Sequence, residues 1–476
     1  MNTTPTNSQG SPTSGNAAAD QHAAIGVGAA TGAGAHTLHP EAQWFPAAGL
    51  GLFIHWGIAS VHGNADLSWA MMANTVYDAQ ARGANKLPPE DYWKLADRFT
   101  PERWDPDRLL AAAARAGMTY AVLTAMHHDG YTLWPSDPRH SELGVHTHLG
   151  GRDLVAPFVE ACRRHGLKVG LYYSPPDWYA DRHHMSFNYG SEQVGRFPGR
   201  PHFDTRHQPI ATIRPRSAQH LARLRAAWLA RVEELLTGYG RIDLLWFDGG
   251  TRDNAIRDRA RQLQPHLVIN SRSCDGDFDC TECSLPTEKF RGWFETPHCW
   301  QHSDLVDPRT GNHVDFWGYL RDEQYKPTSW MLDTLTRLRT WGGNLLINVG
   351  PRPDGSMPEV VYARLNETAA WMAHSRESVI GAGPGPYPEQ SNVPVTTRPV
   401  ARDSDGHNAG PSATWYLHLR AGWRQTVRVT GIARPARAWL LRNDADVAFT
   451  WRDDTLTFDL PADQRSGLVD VVALRW

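Results

Sequence analysis

Arg241-Ile242-Asp243-Leu244-Leu245-Trp246-Phe247-Asp248-Gly249-Gly250 opens on charge, runs through apolar residues and stops on a carboxylate followed by two glycines. A buried strand that ends with an acid at its C-terminal mouth has this form. In a parallel barrel that mouth carries the chemistry. Alternation along a strand puts Trp246 and Asp248 on one face and Leu245 and Phe247 on the other. An indole beside a carboxylate at a pocket floor suits a sugar. Taken alone, the stretch fits equally well a strand-end aspartate that caps the next helix or satisfies a turn.

Other short apolar runs end in the same way. Gly49–Gly57 reads Gly-Leu-Gly-Leu-Phe-Ile-His-Trp-Gly and places His55 at a strand mouth. Met118–Met126 runs into His127-His128-Asp129-Gly130. Adjacent histidines on a regular strand face opposite ways, so the backbone must bend if both serve one pocket. Leu167–Ser174 ends in Tyr172-Tyr173-Ser174, with Asp177-Trp178 beyond, and Leu267–Arg272 ends in Arg272. Asn344–Gly350 closes the series. Between these runs, helical spacing is read over Trp104–Ala116, capped by Asp105, and over Asp153–Gly166, Ala218–Tyr239, Thr328–Trp341 and Met357–Ser375. Strand–helix alternation with polar strand ends predicts an α/β fold, a (β/α)8-like barrel over residues 41–381. Eight clear helices are not found, and 273–300 reads as irregular.

The flanks differ from this core. Residues 1–40 are Ala-, Gly-, Thr-, Ser- and Asn-rich and read as a disordered low-complexity segment. Gly383-Pro384-Gly385-Pro386 reads as a linker. Residues 387–476 alternate like a small antiparallel β-sandwich, with strands at Ala413–Leu419, Thr426–Thr430, Ala438–Leu441, Val447–Trp451, Thr455–Leu460 and Leu468–Leu474. The long segment 180–215, rich in His, Arg, Pro and Gly, reads as a loop over the mouth.

At 476 residues with a net charge of −3, the chain has ample core and no charge imbalance pointing to nucleic acid or an anionic membrane. Twenty tryptophans fill cores or stack on sugar rings. No apolar run reaches the ~18 residues a bilayer span needs. No basic n-region or apolar h-region precedes the core, so no secretory leader is read. Five cysteines then predict reduced thiols and a cytoplasmic location. Cys274, Cys280, Cys283 and Cys299, with His298 and His302, invite a zinc reading through Cys280-x-x-Cys283. No second such pair follows, and unpaired loop thiols are the expectation.

The strand ends supply His55, His127, His128, Tyr172, Trp246, Asp248 and Arg272: imidazoles, aromatics, one carboxylate and one guanidinium. Such a set binds several hydroxyls and presents one nucleophile. A glycosidase needs a second carboxyl, ~5–5.5 Å away if the enzyme retains configuration. Glu282 and Glu295 are the candidates, and Glu288 is a weaker third.

Six blocks now make a family recognisable. Phe53-Ile54-His55-Trp56-Gly57, Leu123–Gly130, Gly151–Val155, Gly170–Ser174, Leu245–Gly249 and Gly343–Pro351 stand in order and together resemble the α-L-fucosidases of glycoside hydrolase family 29. The resemblance implies a retaining double displacement with Asp248 as nucleophile. It implies a fucose pocket lined by His55, Trp69, His127, His128, Tyr172, Trp246 and Arg272, and no metal or other cofactor. For the acid/base, Cys280-Thr281-Glu282 resembles the acidic site beyond the arginine, and Phe294-Glu295-Thr296 resembles a later Trp-Glu block. Glu282 is favoured and Glu295 is the alternative. Many members carry Glu-Trp where this chain has Ser68-Trp69, and serine cannot make the charged hydrogen bond of a glutamate. A related L-sugar therefore stays open. So does a non-catalytic glycan-binding protein on a hydrolase barrel, although a retained nucleophile favours an enzyme. The expected partner is a fucosylated glycan or glycoside, with homo-oligomers open.

Overall fold

Eight parallel strands follow one another round a ring: β1 (Leu50–Ile54), β2 (Tyr120–Met126), β3 (Lys168–Tyr173), β4 (Leu244–Phe247), β5 (Val268–Ile269), β6 (Phe278–Cys280), β7 (Trp293–Cys299) and β8 (Asn344–Val349). The computed structural model describes residues 36–73, 86–188, 199–250, 252–306, 313–399 and 413–476. β8 pairs back onto β1, with Leu52 opposite Ile347. A single bridge between Asn270 and Phe278 joins β5 to β6 and completes the ring. Neighbours in sequence are thus neighbours in the barrel, as right-handed βαβ crossovers require.

Strand alternation sorts the side chains. Phe53, Val122, Tyr172, Leu244, Trp246 and Leu346 fill the barrel interior. Leu52, Leu123, Leu171, Leu245, Phe247 and Ile347 face outward into the shell under the helices. The expected separation of Trp246 from Leu245 and Phe247 is met. Among the described residues six longer helices cover the ring: α1 (Pro106–Arg115), α2 (Ala156–Arg164), α3 (Ala218–Gly238), α4 (Asn254–Leu263), α5 (Thr328–Arg339) and α6 (Glu359–Ser375). The Asp105 side chain caps α1 by accepting from the Arg108 N–H at 3.0 Å, and Ser217 caps α3 in the same way through His220.

Among the described residues no helix separates β5 from β6 or β6 from β7. These are the helices the alternation could not supply. Residues 270–277 form a tight turn instead, in which a β-carbon on Gly276 would meet the Asn270 carbonyl carbon at 2.3 Å. The stretch expected to be irregular therefore holds two barrel strands. β6 is too short to show a period, and Pro297 and Glu295 disguise β7, because proline and buried charge are poor strand signals. The predicted strand over 267–272 shrinks to Val268–Ile269, and Arg272 lies on the turn beyond it.

The C-terminal part is antiparallel, as expected. One sheet runs Gly383–Pro384, Val395–Pro399, Ala413–Leu419, Asp470–Arg475, Arg437–Leu440, and a second runs Val427–Thr430, Thr455–Phe458, Thr450–Arg452. Between them lie Val393, Leu417, Val427, Phe458 and Val472. The expected linker is in part an edge strand, since Gly383 and Pro384 pair with Thr397 and Thr396. Val395–Pro399, bounded by prolines, gave no readable period. The sandwich sits on α5 and α6: the Trp371 indole donates to Val469 O at 2.7 Å, and the Val395 N–H donates to Thr340 Oγ1 at 3.0 Å.

The predicted disorder of 1–40 falls mostly outside the described residues. Within them, order begins before Trp44, since His36 stacks on Trp293 at 4.3 Å. The predicted loop over 180–215 is described in part, and carries the paired strands His202–Phe203 and Pro209–Ile210. No described helix is long and apolar enough to cross a membrane.

Candidate active site

Asp248 follows β4 at the C-terminal mouth. Its neighbour Phe247 is pinned by Asn270, whose side chain accepts from the Phe247 N–H at 2.8 Å and donates to its carbonyl at 2.9 Å. The chain then turns on Gly249 and Gly250, both at positive φ. A β-carbon on Gly250 would meet Pro176 at 3.2 Å, so the turn needs glycine twice over.

The Tyr172 hydroxyl donates to Asp248 Oδ2 at 2.6 Å. Arg272 Nη2 lies 2.6 Å from Oδ1, and His128 Nε2 lies 3.6 Å from Oδ2. Burial alone would raise the Asp248 pKa. The Arg272 guanidinium and the Tyr172 hydrogen bond overcome it and hold the carboxyl well below the usual range. It is an anion at neutral pH.

The same guanidinium also touches Glu282, with Nη1 2.5 Å from Oε2. One arginine thus bridges two carboxylates across the mouth. The Glu282 side chain is 40% exposed and opens to solvent, whereas Asp248 is 15% exposed. Glu295 lies elsewhere. It is fully buried on β7 inside the barrel, where the Tyr120 hydroxyl and the Trp246 indole, at 3.1 Å, both donate to it. Burial pushes its pKa up to about 7. It supports the pocket floor from beneath.

Both histidines of the pair reach the pocket. A register irregularity between Thr124 and Met126 in the β2–β3 pairing supplies the bend the sequence demanded. Their rings are 4.4 Å apart. Burial lowers the pKa values of His127 and His128, and that of His55 to about 4, so all three are neutral. Hydrogen-bond partners then assign the tautomers of His55 and His128. Asn348 donates from Nδ2 to Trp317 O at 2.9 Å and so turns Oδ1 to His55 Nδ1 at 2.7 Å. His55 Nε2 is left as an acceptor. Ser174 donates to Pro176 O at 3.0 Å and accepts from His128 Nδ1, so His128 Nε2 is also an acceptor. Ser68 Oγ accepts from the Asp129 N–H at 2.7 Å and lies 2.6 Å from His127 Nδ1. Acceptor nitrogens on His55 and His128, with the His127 imidazole beside them, match hydroxyls that both give and take hydrogen bonds.

Aromatic rings wall the pocket. Tyr172 and Trp246 stack at 5.4 Å, and Arg272 lies 5.3 Å from the Trp246 ring centroid. Trp178 stacks on His128 at 4.9 Å, and Trp69 meets both edge-on. Trp317 lies 5.0 Å from His55. The structure gathers His55, Trp69, His127, His128, Tyr172, Trp246, Asp248, Arg272 and Glu282 at the mouth, whereas Glu295 lies beneath the floor and Glu288 is exposed away from it. Sequence reading missed Trp178, Trp317, Asn348 and Ser174. Ser68 is buried behind His127. Ligand atoms of His127, His128 and Asp248 lie within 4.8 Å of one another and could hold a cation. Arg272 already supplies positive charge to Asp248 there.

A closed barrel with a buried, cation-paired aspartate, a second carboxylate and a hydroxyl-matching aromatic pocket at its C-terminal mouth defines a glycoside hydrolase. The α-L-fucosidase family profile matches residues 29–377, and the chain belongs to that family. The tissue α-L-fucosidase of Bos taurus is 26% identical over 74% of this chain and 72% of its own length. An α-L-fucosidase isoenzyme from Paenibacillus thiaminolyticus superposes with a TM-score of 0.69 at 26% identity, over 92% of this chain and 98% of that one. A family 29 α-L-fucosidase from Bacteroides thetaiotaomicron, trapped as a covalent intermediate with 2-fluoro-fucosyl fluoride, superposes with a TM-score of 0.69 at 20% identity, over 92% and 97%.

Proposed function

We propose that the chain is a retaining exo-glycosidase that removes terminal α-L-fucosyl groups from glycans or glycosides. The observation that carries this reading is Arg272 bridging Asp248 and Glu282. In the first step Asp248 Oδ attacks the anomeric carbon as the carbon–oxygen bond to the aglycone breaks. Glu282, protonated, gives its proton to the departing oxygen. In the second step the Glu282 carboxylate takes a proton from water, whose oxygen displaces Asp248 from the same carbon. Ester formation removes the Asp248 charge, and the guanidinium then faces the Glu282 carboxylate alone, the form the second step uses. Tyr172, holding Oδ2, leaves Oδ1 as the attacking oxygen once Arg272 yields to substrate. The trapped intermediate of the Bacteroides relative supports a covalent route.

His55, His127, His128 and Trp69 orient the sugar, and Trp246 floors the site. Exposure of Glu282 and burial of Glu295 favour Glu282 as acid/base. A cytoplasmic location and a fucosylated small-molecule or glycan substrate complete the proposal. Release of nitrophenol from an aryl α-L-fucoside tests it. The wild type should turn over. Glu282→Ala should lose about two to four decades and recover with azide, whereas Glu295→Gln should show no azide rescue. No turnover by folded wild type, with activity on another aryl L-glycoside, would move the substrate to a related sugar.

A further inference from the structure

Past Cys280 the β6 chain continues to follow β7. The Thr281 N–H donates to Glu295 O at 3.0 Å and the Cys283 N–H to Pro297 O at 2.9 Å. Cys283 is thereby set alongside His298 and Cys299, outside the sugar pocket. Its backbone is left-handed, with φ +53, a conformation that a β-carbon disfavours. Ligand atoms of Cys283, His298 and Asp315 all lie within 4.8 Å of one another. Cys299 on β7 lies within interaction range of the Cys283 thiol. Asp315 Oδ2 lies 3.4 Å from His298 Nδ1. Catalysis uses none of these four side chains.

Two thiols, an imidazole and a carboxylate are the donor set of tetrahedral zinc. We propose that Cys283, His298 and Asp315, joined by Cys299, bind a zinc ion. The Cys280-x-x-Cys283 spacing misleads here. Cys280 turns into the barrel, 3.7 Å from Asn270, and Cys274 bonds to the Asn270 carbonyl. The partner of Cys283 is Cys299, one strand away. Lys326 fits this reading. Its ammonium pairs with Asp315 Oδ1 and donates to Cys299 O at 3.0 Å. Two thiolates, one carboxylate and a divalent ion leave one net negative charge, which the lysine balances. Asp315 keeps Oδ1 on Lys326 and offers Oδ2 to the metal. Because Cys283 directly follows Glu282, the ion would fasten the segment carrying Glu282 to β7.

The test is metal binding by the full chain, stripped with chelator in reducing buffer and titrated with zinc and, separately, cobalt(II). One ion per chain is expected, with a thiolate-to-cobalt charge-transfer band. Cys283→Ser and His298→Ala should each weaken zinc by about tenfold or more. Cys162→Ser, buried in the shell, should bind as the wild type does. Circular dichroism confirms that each variant folds. Absence of stoichiometric zinc in the wild type would overturn the proposal, as would equal binding by wild type and Cys283→Ser.

Discussion

Asp248 stays ionised in a nearly closed pocket because Arg272 and Tyr172 hold both of its oxygens. Asp248→Ala should therefore lose about three or more decades of kcat with little change in thermal midpoint, measured on an aryl α-L-fucoside. Glu295 poses the reverse case. Its carboxyl is buried among neutral donors and keeps its proton up to about pH 7, whereas an unfolded glutamate loses it near 4.3. The native state binds more protons in that window, so stability should fall as pH rises from about 4.5 to 7. Glu295→Gln should flatten this slope, which urea titrations at several pH values would read. Asp248 and His55 are legible in sequence because each ends an apolar run that reads as a buried strand, and Arg272 because it follows such a run within three residues. Trp178, Trp317, Asn348 and Ser174 are not, because each acts through a contact made in three dimensions. Ser68 was legible as a departure, but its bond to His127 was not.

At the scale of elements, the loop after β3 is clamped to α3 by a buried ion pair, Asp177 with Arg231 Nη2 at 2.7 Å. The guanidinium also donates to His140 O at 3.0 Å. Trp178, next in the chain, stacks on His128. Asp177→Ala leaves an uncompensated buried cation and should cost about 3–5 kcal/mol, seen as a lowered urea midpoint, and should raise KM as Trp178 loosens. The missing helices at β5–β6 and β6–β7 have a functional consequence. Without them the barrel wall beside Arg272 is made of turns, and one of these brings Glu282 to the mouth. Regular periodicity made β1 to β4 and β8 readable. β6 and β7 escaped because a three-residue strand has no period and β7 carries a proline and an inward-facing acid.

At the scale of the molecule, Arg339 ties three parts together. Fully buried on α5, it donates to carbonyls of Pro46, Gly343, Val379 and Ala382. Burial lowers its pKa to about 10, which leaves it charged at neutral pH. Arg339→Met would strand those carbonyls, at about 1–3 kcal/mol for each left unpaired, and calorimetry should show a markedly lower midpoint. The division into barrel and sandwich was legible from the change of period near residue 381. The seating of one on the other was not, since Trp371 and Thr340 look like ordinary helix residues.

The central claim is that Asp248 forms the covalent glycosyl bond. Treating Glu282→Gln with 2-fluoro-fucosyl fluoride, whose good leaving group needs no acid, and mapping the adduct by peptide mass spectrometry tests it directly. The account predicts one fluorofucosyl group per chain, on the peptide containing Asp248 and absent from Asp248→Asn. Labelling of another carboxylate, or none while the wild type hydrolyses the aryl fucoside, would contradict it.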